Sequence, residues 1–90
     1  MALPRKILIV DDEPHIVEFL QMNLRQNGYD HCFSYDGEDA IEKAASEKPD
    51  LILLDSMLPG ISGVETCRIL KQSEKTASIP IIFLSAKSEE

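Results

Sequence analysis

Three short runs of branched aliphatic residues constrain the fold of this chain more than any other feature. They cover residues 6–10, 51–54 and 81–84, and apart from Lys6 they are apolar at every position rather than at alternate ones. Such runs are typical of strands covered on both faces, as in a parallel sheet. A weaker run at residues 31–35 predicts a fourth strand nearer the edge. The chain is therefore expected to build its core around a parallel sheet.

Helical periodicity fills the gaps between these runs. The apolar positions predict three helical faces: Ile16, Phe19, Leu20 and Leu24 between Pro14 and Asn27-Gly28; Ala40, Ile41, Ala44 and Ala45 before Pro49; and Val64, Cys67 and Leu70 after Gly63. The stripe of Phe19, Leu20 and Met22 is interpreted as core rather than as a groove for a partner. Strands that alternate with helices indicate right-handed crossovers and an α/β fold with helices on both faces of the sheet.

Length and charge exclude several classes of protein. Ninety residues suffice for one domain and one core. The formal charge of −7, with nine basic residues scattered among sixteen acidic ones, argues against a nucleic-acid surface. No apolar run approaches the roughly 20 residues of a membrane span, and the N-terminus does not resemble a signal peptide, so we expect a cytoplasmic protein without membrane contact. Cys32 and Cys67 form no CxxC pair and are interpreted as small buried apolar groups.

Acidic residues follow two of the buried runs at the point where each strand should end. Asp11 and Asp12 come after the first run, and Asp55 comes after the run at 51–54. If these strands are neighbours, the three carboxylates meet in the crevice where open α/β sheets bind ligands. Two unit charges about 4 Å apart repel by about 4 kcal/mol at an effective dielectric constant of 20. A hard divalent cation such as Mg²⁺ would neutralise them and leave room for phosphate oxygens.

A purely structural reading stays open for each acid alone. Asp12 precedes Glu13-Pro14 and could serve as a helix N-cap, and Asp55 could cap or turn in the same way. Capping does not require the three acids to converge, however. Ser85 follows the last apolar run at the same edge, where its hydroxyl could donate a hydrogen bond to an oxygen anion held over Asp55.

The chain resembles the receiver domain of bacterial two-component response regulators. The resemblance lies in "ILIVDDEP" (7–14), "PDLILLDSMLPGISG" (49–63) and "IPIIFLSAK" (79–87). It implies that Asp55 accepts a phosphoryl group from a sensor histidine kinase. It further implies Mg²⁺ held by Asp11, Asp12, Asp55 and the backbone carbonyl of Met57; backbone N–H donors to the phosphoryl group at Ser56, Met57 and Ala86; and Ser85 as the switch hydroxyl.

The same resemblance implies a flavodoxin-like, doubly wound parallel sheet of strand order 2-1-3-4. Residues 1–90 are expected to form a single, incomplete receiver domain, without the fourth helix, the fifth strand with its lysine, and the fifth helix of the family. The last strand would then expose an apolar edge and an uncovered sheet face, so we expect self-association there. The wording of the acceptor motif resembles receivers of transcription factors, and the implied role is regulatory rather than enzymatic.

Two other functions remain as alternatives. A phosphoaspartate enzyme of the haloacid-dehalogenase type also places an aspartate after a buried parallel strand, but its nucleophile stands in a DxD pattern after the first strand, whereas Asp11 and Asp12 are adjacent. A phosphorylation-incompetent fragment or pseudo-receiver would act only as an interaction or dimerisation module, and the missing lysine makes it a serious alternative for this segment.

Overall fold

Strands and helices alternate through residues 5–84, the part of the chain that the computed structural model describes. The strands are β1 (Lys6–Val10), β2 (Asp30–Ser34), β3 (Leu51–Asp55) and β4 (Ile81–Leu84), and the helices are α1 (Pro14–Gln26), α2 (Gly37–Glu47) and α3 (Gly63–Gln72). All strand pairs are parallel, and the order is β2-β1-β3-β4. The structure thus confirms the flavodoxin-like α/β fold and the strand order 2-1-3-4.

Two strands differ slightly from the ranges that the sequence predicts. The second begins and ends one residue early, at Asp30 and Ser34, because its register pairs Lys6 with Asp30 and Val10 with Ser34. The third continues through Asp55, which pairs with Leu84 of the fourth strand. The acidic residue is therefore the last residue of the strand itself rather than the first residue of the following loop.

The main core lies between the sheet and the helices α2 and α3. Its buried members are Leu8, Val10, Ala40, Ala44, Ile52, Leu54, Leu70 and Ile79. Both helices begin at side-chain caps: Asp36 accepts a hydrogen bond from the Asp39 N–H at 2.8 Å, and Ser62 accepts one from the Glu65 N–H at 3.1 Å. The free thiols Cys32 and Cys67 pack against this core as the sequence predicts, but they are half-buried rather than buried.

Helix α1 covers the opposite face through fewer residues than its sequence predicts. Val17 is its buried residue, and Leu20 and Leu24 are half-buried, whereas Phe19 is 60% exposed and Ile16 is 40% exposed. The interpretation of Phe19 and Met22 as core is wrong, because the helix packs on β1 and β2 along the side that carries Val17 and turns Phe19 outward. In α3 the predicted buried face is likewise wrong at Val64, which is exposed to solvent.

Strand β4 lies at an edge of the sheet and is poorly covered. It pairs with β3 on one side only among the described residues. Ile82 is 53% exposed and Phe83 is 42% exposed, and because they are consecutive strand residues their side chains lie on opposite faces. The apolar edge expected from the sequence is present in the structure.

None of the helices within residues 5–84 combines the length and the hydrophobicity that crossing a membrane requires.

A pair of matched substitutions tests where the core lies. Ile52 is fully buried in β3, whereas Ile82 in the neighbouring strand is 53% exposed. We expect Ile52→Val to lower the free energy of unfolding by about 0.5–1.5 kcal/mol, the usual cost of deleting one buried methylene group. Ile82→Val should cost less than about 0.5 kcal/mol. Urea unfolding followed by circular dichroism measures both, and equal losses would show that the described packing of β3 is wrong.

Candidate functional site

Three carboxylates meet at the carboxyl edge of the two central strands. Strands β1 and β3 are neighbours whose register pairs Val10 with Leu54, so the residues that follow this pair lie side by side. One oxygen from each of Asp11, Asp12 and Asp55 lies within 4.8 Å of the other two. Asp11 and Asp55 are 5% and 7% exposed, and Asp12 is open to solvent. The structure therefore brings together the three acids that the sequence singled out.

Backbone N–H groups orient the two buried carboxylates. Asp11 Oδ1 accepts a hydrogen bond from the Glu13 N–H at 2.9 Å, and Asp55 Oδ1 accepts one from the Met57 N–H at 3.1 Å. Each bond joins a side chain to the backbone two residues on, as in an Asx-turn. Both carboxylates are thus fixed by their own turns before any ligand arrives.

The structural alternative, a role in capping or turning the chain, does not apply to Asp12 but does apply to Asp55. Helix α1 has Glu13 as its N-cap residue, with no side-chain cap hydrogen bond, so Asp12 does not cap it. Asp55 does form a local turn, through Met57. That turn engages one of its oxygens, and the carboxylate still faces the other two acids. A structural role for Asp55 therefore coexists with its place in the cluster.

The cluster carries negative charge that the described residues do not balance. Burial raises the pKa of the Asp11 carboxyl, and repulsion from Asp55 and Asp12 raises it further, although the Glu13 N–H opposes both effects. The ion pairs within residues 5–84 join Lys6 to Glu47, Lys43 to Asp39 and Arg68 to Glu65, away from the cluster. Carboxylate oxygens at this spacing suit a hard divalent cation such as Mg²⁺.

The loop after β3 contributes further groups that the resemblance assigns to the site. The Met57 side chain is 66% exposed, and its backbone N–H is held by Asp55 Oδ1. The Met57 N–H already donates its hydrogen bond to the Asp55 carboxylate. It would have to give up this bond to donate to a phosphoryl oxygen. Ser56 is half-buried beside it. Ser85 and Ala86 lie outside the described residues.

Reasoning from the sequence missed the part that Gly63 plays at the site. It was noted only as the entry to a helix, yet it is buried against the backbone of Asp55 and Ser56, and its N–H donates to the Ser56 carbonyl at 3.1 Å. The one signal in the sequence was a glycine at the end of the motif that contains β3. Nothing in one sequence indicates which backbone a glycine touches.

Comparisons with known proteins agree with this geometry. The family model of the response regulator receiver domain matches residues 7–90. The alkaline phosphatase synthesis transcriptional regulatory protein PhoP of Bacillus subtilis (strain 168) is 52% identical over 86 residues, which are 96% of this chain and 35% of PhoP. The chain thus spans about a third of the length of this relative.

Solved structures match over nearly the whole chain. The N-terminal domain of a response regulator receiver protein from Methanoculleus marisnigri JR1 has a TM-score of 0.90 at 36% identity, covering 96% of this chain and 70% of that one. The receiver domain of the sensor histidine kinase PA1611 from Pseudomonas aeruginosa PAO1, with a magnesium ion coordinated in its active-site cleft, has a TM-score of 0.88 at 32% identity, covering 94% and 70%. By family model, relative and fold alike, this chain belongs to the response regulator receiver domains.

Proposed function

We propose that the chain is a phosphoacceptor: Asp55 takes a phosphoryl group from the phosphohistidine of a sensor histidine kinase, with Mg²⁺ at the acidic cluster. The observation that carries this proposal is the burial of Asp55 at the end of β3, within 4.8 Å of two further carboxylates. Phosphoryl transfer needs mainly positioning and charge neutralisation. A fixed carboxylate beside a cation site supports both requirements.

The proposed transfer uses one oxygen of the Asp55 carboxylate as the nucleophile. This oxygen forms a bond to phosphorus while the bond between phosphorus and the histidine nitrogen breaks, and the electron pair of that bond stays on the imidazole. The product is an acyl phosphate on Asp55 and a free kinase histidine. When bound, Mg²⁺ would supply charge neutralisation for the transfer.

Other groups of the chain would bind the cation and the phosphoryl oxygens. Asp11, Asp12, Asp55 and the carbonyl of Met57 would hold the cation, and the turn from Met57 to Asp55 Oδ1 fixes the acceptor in one orientation. Backbone N–H groups of Ser56, Met57 and Ala86 would receive the phosphoryl oxygens, and Ser85 would move its hydroxyl toward them. The chain then assists only its own phosphorylation and dephosphorylation and is no enzyme for a separate substrate.

Known relatives support these finer assignments without deciding them. PhoP is a transcriptional regulatory protein, and this chain matches about a third of it, so we propose that the chain belongs to a regulator of transcription. The PA1611 receiver domain coordinates magnesium in its active-site cleft at 32% identity to this chain, which supports Mg²⁺ as the cation here. The segment itself carries a net charge of −7 and is not expected to bind DNA.

Phosphorylation tests the proposal and separates it from a pseudo-receiver that only binds partners. We expect the unaltered chain, incubated with a small phosphodonor and Mg²⁺, to gain the mass of one phosphoryl group in an acid-stable, base-labile form. Asp55→Asn should gain none. Asp30→Asn is the control, because Asp30 is an exposed aspartate at the opposite end of the sheet. No gain in the unaltered chain would favour the pseudo-receiver, and equal gain in Asp55→Asn would exclude Asp55 as the site.

Removing one charge from the cluster should stabilise the metal-free chain. Since the Asp11 pKa is raised on folding, the ionised carboxylate destabilises the fold above that pKa. We expect Asp11→Asn to raise the free energy of unfolding at neutral pH by roughly 1 kcal/mol or more, because two charges about 4 Å apart repel by about 1 kcal/mol even in bulk water.

The gain from Asp11→Asn should shrink as the pH falls toward 3.8, the ordinary value for an aspartate, because the folded carboxyl is then protonated. Urea unfolding in a chelating buffer across this pH range measures the effect, with Asp30→Asn as the control. A loss of stability at neutral pH in Asp11→Asn would contradict the account of a strained, repulsive cluster.

We also propose that this chain associates with a second copy of itself through β4. The exposed side chains of Ile82 and Phe83 support this, as does the second backbone edge of β4, which has no strand partner within residues 5–84, since identical edges can pair with each other. Sedimentation equilibrium should show a dimer or larger species, and Ile82→Lys should shift it to the monomer. Val64→Lys, at an apolar site on α3 that is also exposed, should not. A monomeric unaltered chain with a cooperative unfolding transition would contradict the proposal.

A further inference from the structure

The loop that joins β3 to α3 folds back onto the acceptor strand at Gly63. The Gly63 N–H donates to the Ser56 carbonyl at 3.1 Å, which closes residues 56–63 into a ring of backbone. The loop carries Met57, whose N–H holds Asp55 Oδ1. The hydrogen bond that closes the loop at Gly63 therefore lies next to Met57, whose N–H orients the Asp55 carboxylate.

Contact between Gly63 and this backbone leaves no room for a side chain. A Cβ atom at position 63 would overlap the Asp55 carbonyl oxygen and would lie 2.6 Å from Ser56 Cα and 2.9 Å from the Asp55 carbonyl carbon. All three contacts are with backbone, which cannot rotate away as a flexible side chain can. Any other residue at this position must push the backbone of Asp55 and Ser56 aside.

The glycines of the chain differ in what a side chain would meet. At Gly28 and Gly60 an added Cβ atom would have no neighbour within 4 Å, and the backbone φ angles of +81° and +74° explain the choice of glycine there. At Gly37 the first obstacle is the Thr66 hydroxyl, a side-chain atom. Only Gly63 among these four presses on the backbone of the acceptor residue.

We propose that Gly63 is a positioning residue: its missing side chain sets where the backbone of Asp55 and Ser56 stands, and so where the Asp55 carboxylate and the Met57 carbonyl meet a divalent cation. This inference rests on the proposed cation site. Residues that orient metal ligands typically change metal affinity by about 10–100-fold when altered. Gly63 has this effect through steric exclusion instead of a hydrogen bond to the ligand.

Magnesium titration of the chain tests the proposal. The dissociation constant comes from the amide chemical shifts of Ser56 and Met57 in NMR spectra. We expect Gly63→Ala to raise it by about 10-fold or more. Gly28→Ala is the control, because it also adds a methyl group to a glycine but follows α1 at the opposite edge of the sheet and strains only its own positive φ. Its dissociation constant should stay within about 2-fold of the unaltered chain, since no metal ligand moves.

Three outcomes are informative in different ways. A weaker affinity in Gly63→Ala alone supports the proposal. An unchanged affinity in a folded Gly63→Ala chain overturns it and leaves the proposed function intact. Absence of Mg²⁺ binding by the unaltered chain overturns both.

Amide hydrogen exchange in the unaltered chain is a second test, which does not require Gly63→Ala to fold. If closure of the loop at Gly63 helps to position the metal ligands, binding of Mg²⁺ must in turn stabilise that closure, because coupling between sites is reciprocal. The Gly63 amide should then exchange several-fold more slowly with Mg²⁺, while the Gly28 amide, which donates to Arg25 at the end of α1, should not change. An unchanged Gly63 exchange rate would overturn the proposal.

Discussion

Electrostatic repulsion among three carboxylates is the constraint on which the rest of the site depends. Asp11, Asp12 and Asp55 approach within 4.8 Å because two parallel strands end side by side, and burial of Asp11 and Asp55 removes much of the water that would screen them. The fold therefore holds a cluster that is unfavourable when empty. The same charges that destabilise the metal-free chain would provide the affinity for a cation, so the cost in stability and the proposed function have one physical origin.

The scaffold is suited to holding such a cluster because two of the three acids follow buried strand residues directly. Leu54 is fully buried next to Asp55 and Val10 next to Asp11, so both acids extend directly from the core. Turns at Glu13 and Met57 then fix the carboxylate oxygens, and Gly63 sets the backbone beneath Asp55. The Asp55 carboxylate is thus held by strand, turn and loop together, in an orientation that does not depend on a long, flexible side chain.

Much of this arrangement follows from the sequence alone. Unbroken apolar runs place the strands, and the rule that parallel strands share a carboxyl edge brings Asp11, Asp12 and Asp55 together. The sequence did not predict which side of α1 is buried. Phe19 fits the spacing of a buried helical face, but this spacing does not show which side of the helix packs on the sheet. Gly63 was harder still, because its role depends on a backbone contact eight residues away along the chain. Local sequence patterns predict the helices, the strands and the residues at the edge of the sheet. The rotation of a helix about its axis and close contacts between backbone segments depend on tertiary packing.

Unfolding of the unaltered chain with and without Mg²⁺ shows whether the three carboxylates bind a cation. A cation that binds only the folded cluster must raise the free energy of unfolding by about 2.7 kcal/mol at a concentration 100 times its dissociation constant. We expect Mg²⁺ to stabilise the chain against urea by an amount that grows with the Mg²⁺ concentration, and a sodium salt of equal ionic strength to have no such effect. Equal unfolding curves in the two salts would contradict the claim that the three carboxylates form a cation site.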